Sequence, residues 1–213
     1  DMVVFDEAHN IEKVARDYFS YEVSKYAFTK AMNNIYRVSR GSSKKLGSLQ
    51  ILKNFLKNSI KNDKLLKEYT KRIDEELILK HNLLYERTMD YFVKLMDIYC
   101  SEGVNANIRL RPEQLAKNFK WQKELKPRQE EFFSAYISYI KELRKIAKEA
   151  KDYEDEAGLI REFEKYVDRL DGFFLNFRFI LDFSDDNFIF WLSANPKKNN
   201  IKLVATPLKI HNE

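Results

Sequence analysis

The feature that most constrains the fold is a long stretch of helical hydrophobic periodicity. Between residues 63 and 102, apolar side chains recur at spacings of three, four or seven positions: Leu66, Tyr69, Ile73, Leu77, Leu84, Tyr91, Leu95 and Ile98. This spacing places them on one face of a helix, which would be roughly 55–60 Å long at 1.5 Å per residue. Gly103 is expected to end this helix as the residue after its C-cap. The pattern predicts a mainly helical protein.

Helical patterns also occupy most of the chain on either side of this segment. Asn10 suits an N-cap, and the helix after it is expected to be interrupted at residues 20–24. The other predicted helices are one that carries Ala27, Ala31, Ile35 and Val38, a short one over residues 49–56, two with Pro112 and Pro127 in their first turns, and one over residues 155–183. Residues 40–48 are expected to form a loop, and residues 104–111 an irregular segment.

The hydrophobic pattern changes at both ends of the chain. Residues 2–5 form a short apolar run of β-branched and aromatic type, which is typical of a strand buried on both faces in a parallel sheet. Near the other end, residues 187–193 and 201–205 are strand-like and flank a turn composition, which predicts a β-hairpin. A helical block between strands is what an insertion into an α/β domain would look like.

Composition limits the classes of site that the chain can build. Lys and Arg number 38 against 33 Asp and Glu, so the net charge is +5, which permits nucleic-acid binding without requiring it. The single Cys100 excludes an internal disulfide. The only histidines, His9, His81 and His211, are far apart in the sequence. One cysteine and these three histidines are too few and too scattered to form a zinc or iron–sulfur site from this chain alone. No signal peptide or long apolar run is visible, so a soluble, cytoplasmic protein is expected. The start at Asp1, inside an apolar run, suggests a piece of a longer protein.

Two adjacent carboxylates follow the first predicted strand, in the sequence Asp6-Glu7-Ala8-His9. Hydrolysis of a nucleoside triphosphate needs an acidic residue for Mg²⁺ and a group that orients the attacking water. The carboxyl end of a buried parallel strand suits both roles, because ligands of open α/β sheets bind at that edge. Asp6 is therefore predicted to hold Mg²⁺ through a water, and Glu7 to position or deprotonate the attacking water. His9 is predicted to sit near the γ-phosphate.

The phosphate-binding half of such a site is missing from the chain. A P-loop requires the pattern G-x-x-x-x-G-K-[ST], but none of the five glycines is followed by Lys-Ser or Lys-Thr. Residues 41–48 come nearest, with the wrong spacing and no lysine after Gly47. We therefore expect the isolated chain to be inactive as an ATPase, and ATP and Mg²⁺ to be cofactors of the longer protein only.

Both ends of the chain resemble one protein family. Residues 3–11, Val-Val-Phe-Asp-Glu-Ala-His-Asn-Ile, resemble helicase motif II of the DinG/XPD-like superfamily 2 DNA helicases. Phe190-Trp191, a turn and then residues 204–210, Val-Ala-Thr-Pro-Leu-Lys-Ile, are similar to the stretch with which DinG-like proteins leave an inserted helical domain. Lys209 stands where the family usually has an acid.

The resemblance implies a domain organisation and an activity. In this family a helical insertion, the arch domain, separates motif II from motif III of a RecA-like motor domain. Residues 1–12 would be the motif II strand, residues 13–183 the arch-like domain, and residues 184–213 a β-hairpin and the return strand to the motor domain. The whole protein would be an ATP-dependent 5′→3′ helicase of DNA repair type, acting on single-stranded or forked DNA. Any iron–sulfur cluster would come from residues outside this chain.

Basic residues outside the predicted helices are candidates for contacts with DNA, because single-strand binding uses basic grooves and aromatic stacking platforms. The candidates are Arg37, Arg40, Lys44 and Lys45 around the predicted loop, and Arg109 and Arg111, which alternate with Ile108 and Leu110 as in a short exposed strand. Trp121 lies among lysines and could stack a base, but we expect it to be a packing anchor instead. The alternative is that these charged segments are solvent-exposed surface without a role in DNA binding.

Two other functions compete with the helicase interpretation. The chain could be a helical protein–protein interaction module whose acidic box is incidental. A hydrolase that uses Asp6 and Glu7 alone is the weaker alternative, because adjacent side chains on a strand point to opposite sides. A P-loop in upstream sequence is demanded by the helicase interpretation and not by the interaction module.

Overall fold

Helices and a small antiparallel sheet make up the part of the chain that the computed structural model describes, which is residues 18–39, 41, 43–100, 103–153 and 158–208. In chain order the elements are β1 (Tyr21–Ser24), α1 (Lys25–Ile35), β2 (Arg37–Val38), β3 (Lys45–Leu46), α2 (Ser48–Ser59), α3 (Asp63–Lys71), α4 (Ile78–Tyr99), β4 (Ala106–Leu110), α5 (Pro112–Lys117), α6 (Lys126–Ala150), α7 (Leu159–Leu181), β5 (Phe188–Asn195) and β6 (Asn200–Pro207). The prediction of a mainly α protein is confirmed.

The long periodic segment forms one continuous helical rod. A π-helical stretch, Arg72–Leu77, joins α3 to α4, and the residues at both of its ends keep helical backbone angles. The Asn62 side chain caps the start by accepting hydrogen bonds from the amides of Lys64 and Leu65. The predicted end at Gly103 is wrong, because the helix stops at Tyr99. Gly103 has a φ of 71° and donates its amide to the Cys100 carbonyl, in the turn that leads towards β4.

The helix expected to begin at Pro127 begins earlier. Pro127 does lie in the first turn of α6, but a π-helical stretch, Trp121–Leu125, runs directly into it. A proline has no N–H and its ring crowds the carbonyl four residues before it, so a regular α-helix cannot continue through it unchanged. The wider π-turn, in which the Lys126 amide bonds to the Trp121 carbonyl, accommodates the ring.

The other helices agree with the periodic pattern, with shifted boundaries. Ala27, Ala31 and Ile35 lie in α1, whereas Val38 lies beyond it in β2. The short helix predicted near residues 49–56 is α2, and the helix predicted over residues 155–183 is α7, which covers Leu159–Leu181. Residues 20–24 were expected only to interrupt a helix, but Tyr21–Ser24 form strand β1.

Four strands form one antiparallel sheet in the order β1-β6-β5-β4. The predicted hairpin is confirmed: β5 and β6 pair from Phe188↔Pro207 to Asn195↔Asn200, with a 3₁₀ turn, Pro196–Lys198, between them. The prediction of an irregular segment at residues 104–111 is wrong, because Ala106–Leu110 pair with β5 as an edge strand. β1 and β4 are too short to be stable alone, and each is held in place by pairing with a strand that is far away in the sequence.

One face of this sheet packs against the helices. The residues on it that are buried are Val23, Leu110, Phe190, Leu192, Ala194, Ile201, Leu203 and Ala205. Phe179 and Phe183, at the end of α7, make ring contacts with Phe190. Deeper between the helices, Tyr91, Phe132 and Phe177 form an aromatic cluster in which the Phe132 and Phe177 rings stack at 4.9 Å. The sheet and the helices therefore share one hydrophobic core.

A second, two-stranded sheet lies at the far end of α1. β2 and β3 pair antiparallel through Arg37↔Leu46 and Val38↔Lys45. Gly47 then leads into α2 with a φ of 105°, and a Cβ at this position would lie 2.4 Å from the Ile35 carbonyl oxygen. Only glycine fits such an approach of two backbones. The end of the predicted loop at residues 40–48 is therefore ordered: Lys45–Leu46 form β3, and Gly47 lies against the end of α1.

The predictions for the first seventeen residues lie outside the described part of the chain. These are the buried strand at residues 2–5, the N-cap Asn10 and the motor-domain segment at residues 1–12. Assignment of β6 to a motor domain stays a prediction; within the described residues it pairs with β1 and β5. The helices that the structure describes are too short or too polar to span a lipid bilayer.

Candidate nucleic-acid interface

The predicted nucleotide site cannot be compared with the structure, because Asp6, Glu7 and His9 lie outside the described residues. Their roles, and those of ATP and Mg²⁺, stay predictions. In the described ranges, no group of three or more His, Cys, Asp or Glu side chains is arranged to hold a metal ion. The chemistry that the structure can address is therefore that of the predicted DNA contacts.

The first group of predicted contacts lies on the short β2–β3 hairpin. Arg37 and Lys44 are exposed there, while Arg40 lies outside the described residues. Lys45 is engaged: its ammonium nitrogen is 3.2 Å from Asp74 Oδ1. A phosphate would have to compete with this carboxylate for Lys45, whereas the Arg37 side chain is exposed.

Asp74 is shared between Lys45 and a more buried lysine. Lys53 Nζ lies 2.5 Å from Asp74 Oδ2, and only 9% of the Lys53 side chain is exposed. Burial by itself would raise the pKa of Asp74, but the hydrogen bonds from Lys53 and Lys45 outweigh it and hold the pKa below its ordinary value. The carboxylate thereby joins the β2–β3 hairpin and α2 to the π-helical stretch, which is a structural role.

The second group of predicted contacts lies at the edge of the four-stranded sheet. Arg109 is in β4 and is exposed, whereas Leu110 beside it is buried. Arg111 follows with an extended backbone, at φ −132° and ψ 128°, and is also exposed. Because side chains alternate along an extended chain, both guanidinium groups belong to the sheet face that points away from the helices. The sequence alternation at residues 108–111 anticipates this arrangement.

This second face, the outer face, is formed by the residues that alternate with the buried ones. Its members are Glu22 and Ser24 of β1, Lys202, Val204 and Thr206 of β6, Ile189, Trp191 and Ser193 of β5, and Asn107 and Arg109 of β4. All are half-buried or exposed apart from Ser24, whose side chain caps α1. Most members of the outer face are polar, and Trp191 is the single aromatic residue among them.

The two tryptophans have opposite environments. Trp121, for which the sequence favours a packing role over base stacking, is 5% exposed and packs in the core. Trp191 is half-buried on the outer face and pairs across the strands with Arg109 on one side and Val204 on the other. Alternation along residues 188–195 contains the signal for this, but the register with β4, and hence the neighbour Arg109, comes only from the fold.

His81 is buried in the core of the protein. His81 is 4% exposed, lies 3.0 Å from the Tyr139 hydroxyl through Nδ1, and meets the Tyr36 ring edge-on. Burial lowers the pKa of His81 to about 4, so the ring is neutral at neutral pH. It is a satisfied core residue and not part of an accessible site.

Comparison with known proteins adds no relative: no protein-family model, no curated protein and no solved structure matches this chain.

Proposed function

We propose that this chain is a segment of an ATP-dependent 5′→3′ DNA helicase of the DinG/XPD type. It would carry the Mg-ATP hydrolysis box and an arch-like helical domain that helps to enclose single-stranded DNA. The observation that carries the proposal is the sequence at residues 3–11, an acidic Asp-Glu-Ala-His box directly after an apolar run. The resemblance of residues 204–210 to the end of an inserted helical domain supports it.

The ends of the helical block support its description as an insertion. An inserted domain has to leave its host and return to it at neighbouring points, and termini that lie close together make this easy. Here the first described strand pairs with the last, through Tyr21↔Ala205, and the Ser20 hydroxyl lies 3.3 Å from that of Thr206. The helices α1 to α7 therefore form an excursion between two neighbouring antiparallel strands.

The residues of the acidic box suit the chemistry of the proposed activity. Mg²⁺ is bound through carboxylates, water and substrate phosphates, and Asp6 offers the required carboxylate. Bound Mg-ATP would supply the polarised terminal phosphate, and Glu7 would orient the attacking water or accept its proton. His9 would lie near the γ-phosphate. The phosphate-binding loop would come from another part of the whole protein.

Substitution of Glu7 in the whole protein tests the hydrolytic role. Glu7→Gln removes the carboxylate but keeps the shape, so we expect ATP turnover to be abolished while nucleotide binding is retained. A matched control is Glu12→Gln, five positions further along the chain. ATPase assays and fluorescent-nucleotide titrations measure the two properties separately. Normal turnover in Glu7→Gln, or a robust ATPase rate in the 213-residue chain alone, would contradict the proposal.

A groove on the helical surface favours a second candidate, the protein–protein interaction module. Ile137 of α6 and Leu175 of α7 are 60% and 59% exposed and line a groove beside Phe133 and Phe174. Exposed apolar surface of this kind is found at protein–protein contacts. A P-loop in the whole protein, together with DNA-stimulated ATPase activity, would favour the helicase over the module.

A further inference from the structure

We propose that the outer face of the four-stranded sheet binds single-stranded DNA, with Trp191 stacking on a base and Arg109 contacting an adjacent phosphate. This inference deepens the proposed function and rests on it for the identity of the ligand, because it names the surface through which an arch-like domain would hold the strand. In this inference Trp191 gains a role in DNA binding, together with Arg109 and Arg111.

The two faces of the sheet have different environments. The inner face carries the fully buried side chains, among them Leu192, Leu203 and Val23. The outer face has only half-buried or exposed side chains apart from Ser24. A four-stranded sheet with one open face is a platform on which the bases of a single strand can be spread out and stacked.

Four residues form a row across the middle of the outer face. The register places Glu22, Val204, Trp191 and Arg109 side by side, one from each strand. Neighbouring strands are ~4.8 Å apart, so the Arg109 side chain can reach a phosphate beside a base that lies on Trp191. Stacking on an aromatic ring tolerates every base, because each base has a π-face.

The next row supplies hydrogen-bonding groups. Ser24, Lys202, Ser193 and Asn107 lie side by side across the four strands. The hydroxyl and amide groups of Ser193 and Asn107 can donate and accept, as the Watson–Crick edges of splayed bases require. These two residues adjoin Trp191 and Arg109 on the same strands, so one nucleotide can be stacked in one row while its neighbour is hydrogen-bonded in the next.

The charge of the outer face matches a nucleic acid better than an apolar protein partner. Arg109 and Arg111 are two positions apart, ~7 Å along an extended chain, and in the described part of the chain neither makes an ion pair. The carboxylate of Glu22 is neutralised by Lys202 at 2.8 Å. Lys197 and Lys198 are exposed in the turn at one end of the hairpin. The remaining apolar members, Ile189 and Val204, are only half-buried.

The two tryptophans make the proposal directly measurable. Oligothymidylate added to the 213-residue chain should quench the fluorescence of Trp191, because base stacking brings the rings into contact. Trp121 is buried and should not respond. We therefore expect the quenching to persist in Trp121→Phe and to vanish in Trp191→Phe, which keeps a stacking ring and thus most of the affinity.

Affinity measurements then separate stacking from charge. We expect Trp191→Ala to bind a labelled oligothymidylate about tenfold more weakly in fluorescence anisotropy, since stacking on one ring contributes at that level. Arg109→Ala should weaken binding and reduce the slope of log affinity against log salt by about 0.7, the effect of one lost phosphate contact on a single strand. Arg161→Ala is the matched control, because Arg161 is an exposed arginine on α7, away from the sheet, and should change neither value.

The outcomes distinguish this inference from the proposed function. If folded Trp191→Ala and Arg109→Ala chains bind as the unmodified chain does, or if the unmodified chain binds no oligothymidylate at low salt, the sheet is not the binding surface. The helicase proposal would survive either result, because DNA could bind elsewhere in the whole protein. If the sheet binds DNA as described but the whole protein has no DNA-stimulated ATPase, the inference stands and the helicase proposal fails.

Discussion

The interior of the helical body and the outer face of the sheet both contain aromatic rings, but the groups around these rings differ. In the interior, Tyr91, Phe132 and Phe177 contact one another, and each is fully buried. On the outer face, Trp191 stands alone, with Val204 and Arg109 as its cross-strand neighbours. The number of aromatic rings in a region therefore says little about its function in an aromatic-rich chain. What matters is whether a ring is surrounded by other rings or by polar and basic side chains.

The two faces of one strand provide the sharpest form of this comparison. Leu203 and Val204 are adjacent in β6, but Leu203 is fully buried against the helices and Val204 lies on the outer face. We expect Leu203→Ala to lower the free energy of unfolding by about 2–5 kcal/mol, because it leaves a cavity in the core. Val204→Ala should cost less than about 1 kcal/mol. Urea unfolding of both variants measures the difference, and equal costs would contradict the assigned faces.

A buried titratable group in the interior makes the stability of the fold depend on pH. The pKa of His81 is lowered from 6.5 to about 4 by burial, so the folded state holds the neutral ring. The unfolded chain takes up the proton first as the pH falls. Stability is therefore complete above pH ~6.5 and declines towards pH ~4, by about 3 kcal/mol at most from this residue.

The contribution of His81 is isolated by comparison with His81→Gln, which cannot titrate. This variant should be less stable at neutral pH, because the contact with the Tyr139 hydroxyl is disturbed. Its stability should nevertheless fall less steeply than that of the unmodified chain between pH 6.5 and pH 4. Urea unfolding at several pH values gives both curves. Parallel curves over this range would show that His81 is not neutral in the folded state.

One ion pair is nearly buried and another lies on the outer face. Removing either should change stability less than the core substitution does. Lys53 is nearly buried beside Asp74, whereas Lys202 and Glu22 on the outer face are 38% and 49% exposed. Asp74→Asn leaves a buried ammonium without its counter-charge and should cost about 1–3 kcal/mol. Glu22→Gln should cost about 0–1 kcal/mol, because exposed pairs are screened. Thermal unfolding compares the two variants, and a larger loss in Glu22→Gln would contradict this order.

The sequence predicts the helices better than it predicts the sheet. Periodicity over residues 63–102 and 155–183 is sustained for many turns, so the existence of α3, α4 and α7 follows from it even though the boundaries move. The hairpin of β5 and β6 is also predictable, since its strands are long, alternate, and flank a turn composition at residues 195–200. β1 is missed, and only the alternation at residues 108–111 points to β4, because these strands have four and five residues and depend on distant partners.

The candidate DNA contacts also differ in how far the sequence predicts them. Exposure of Arg109 could be predicted from alternation with Ile108 and Leu110. The ion pair between Lys45 and Asp74 could not be predicted, because Asp74 is far away in sequence and approaches only when the π-helical stretch packs beside the β2–β3 hairpin. The packing role favoured for Trp121 agrees with its burial in the core. The position of Trp191 on the outer face could not be predicted, because it depends on the register between β4, β5 and β6.

The sequence alone predicts a mainly helical chain, a hairpin over residues 187–205 and an acidic box before the helices. These properties depend on local periodicity and on short motifs, which neighbouring residues specify. Only in the fold do Tyr21–Ser24 and Ala106–Leu110 complete a four-stranded sheet, and only there does Trp191 lie beside Arg109 on its outer face. Strand register depends on hydrogen bonds and packing between residues far apart in the chain, and no local pattern specifies those partners.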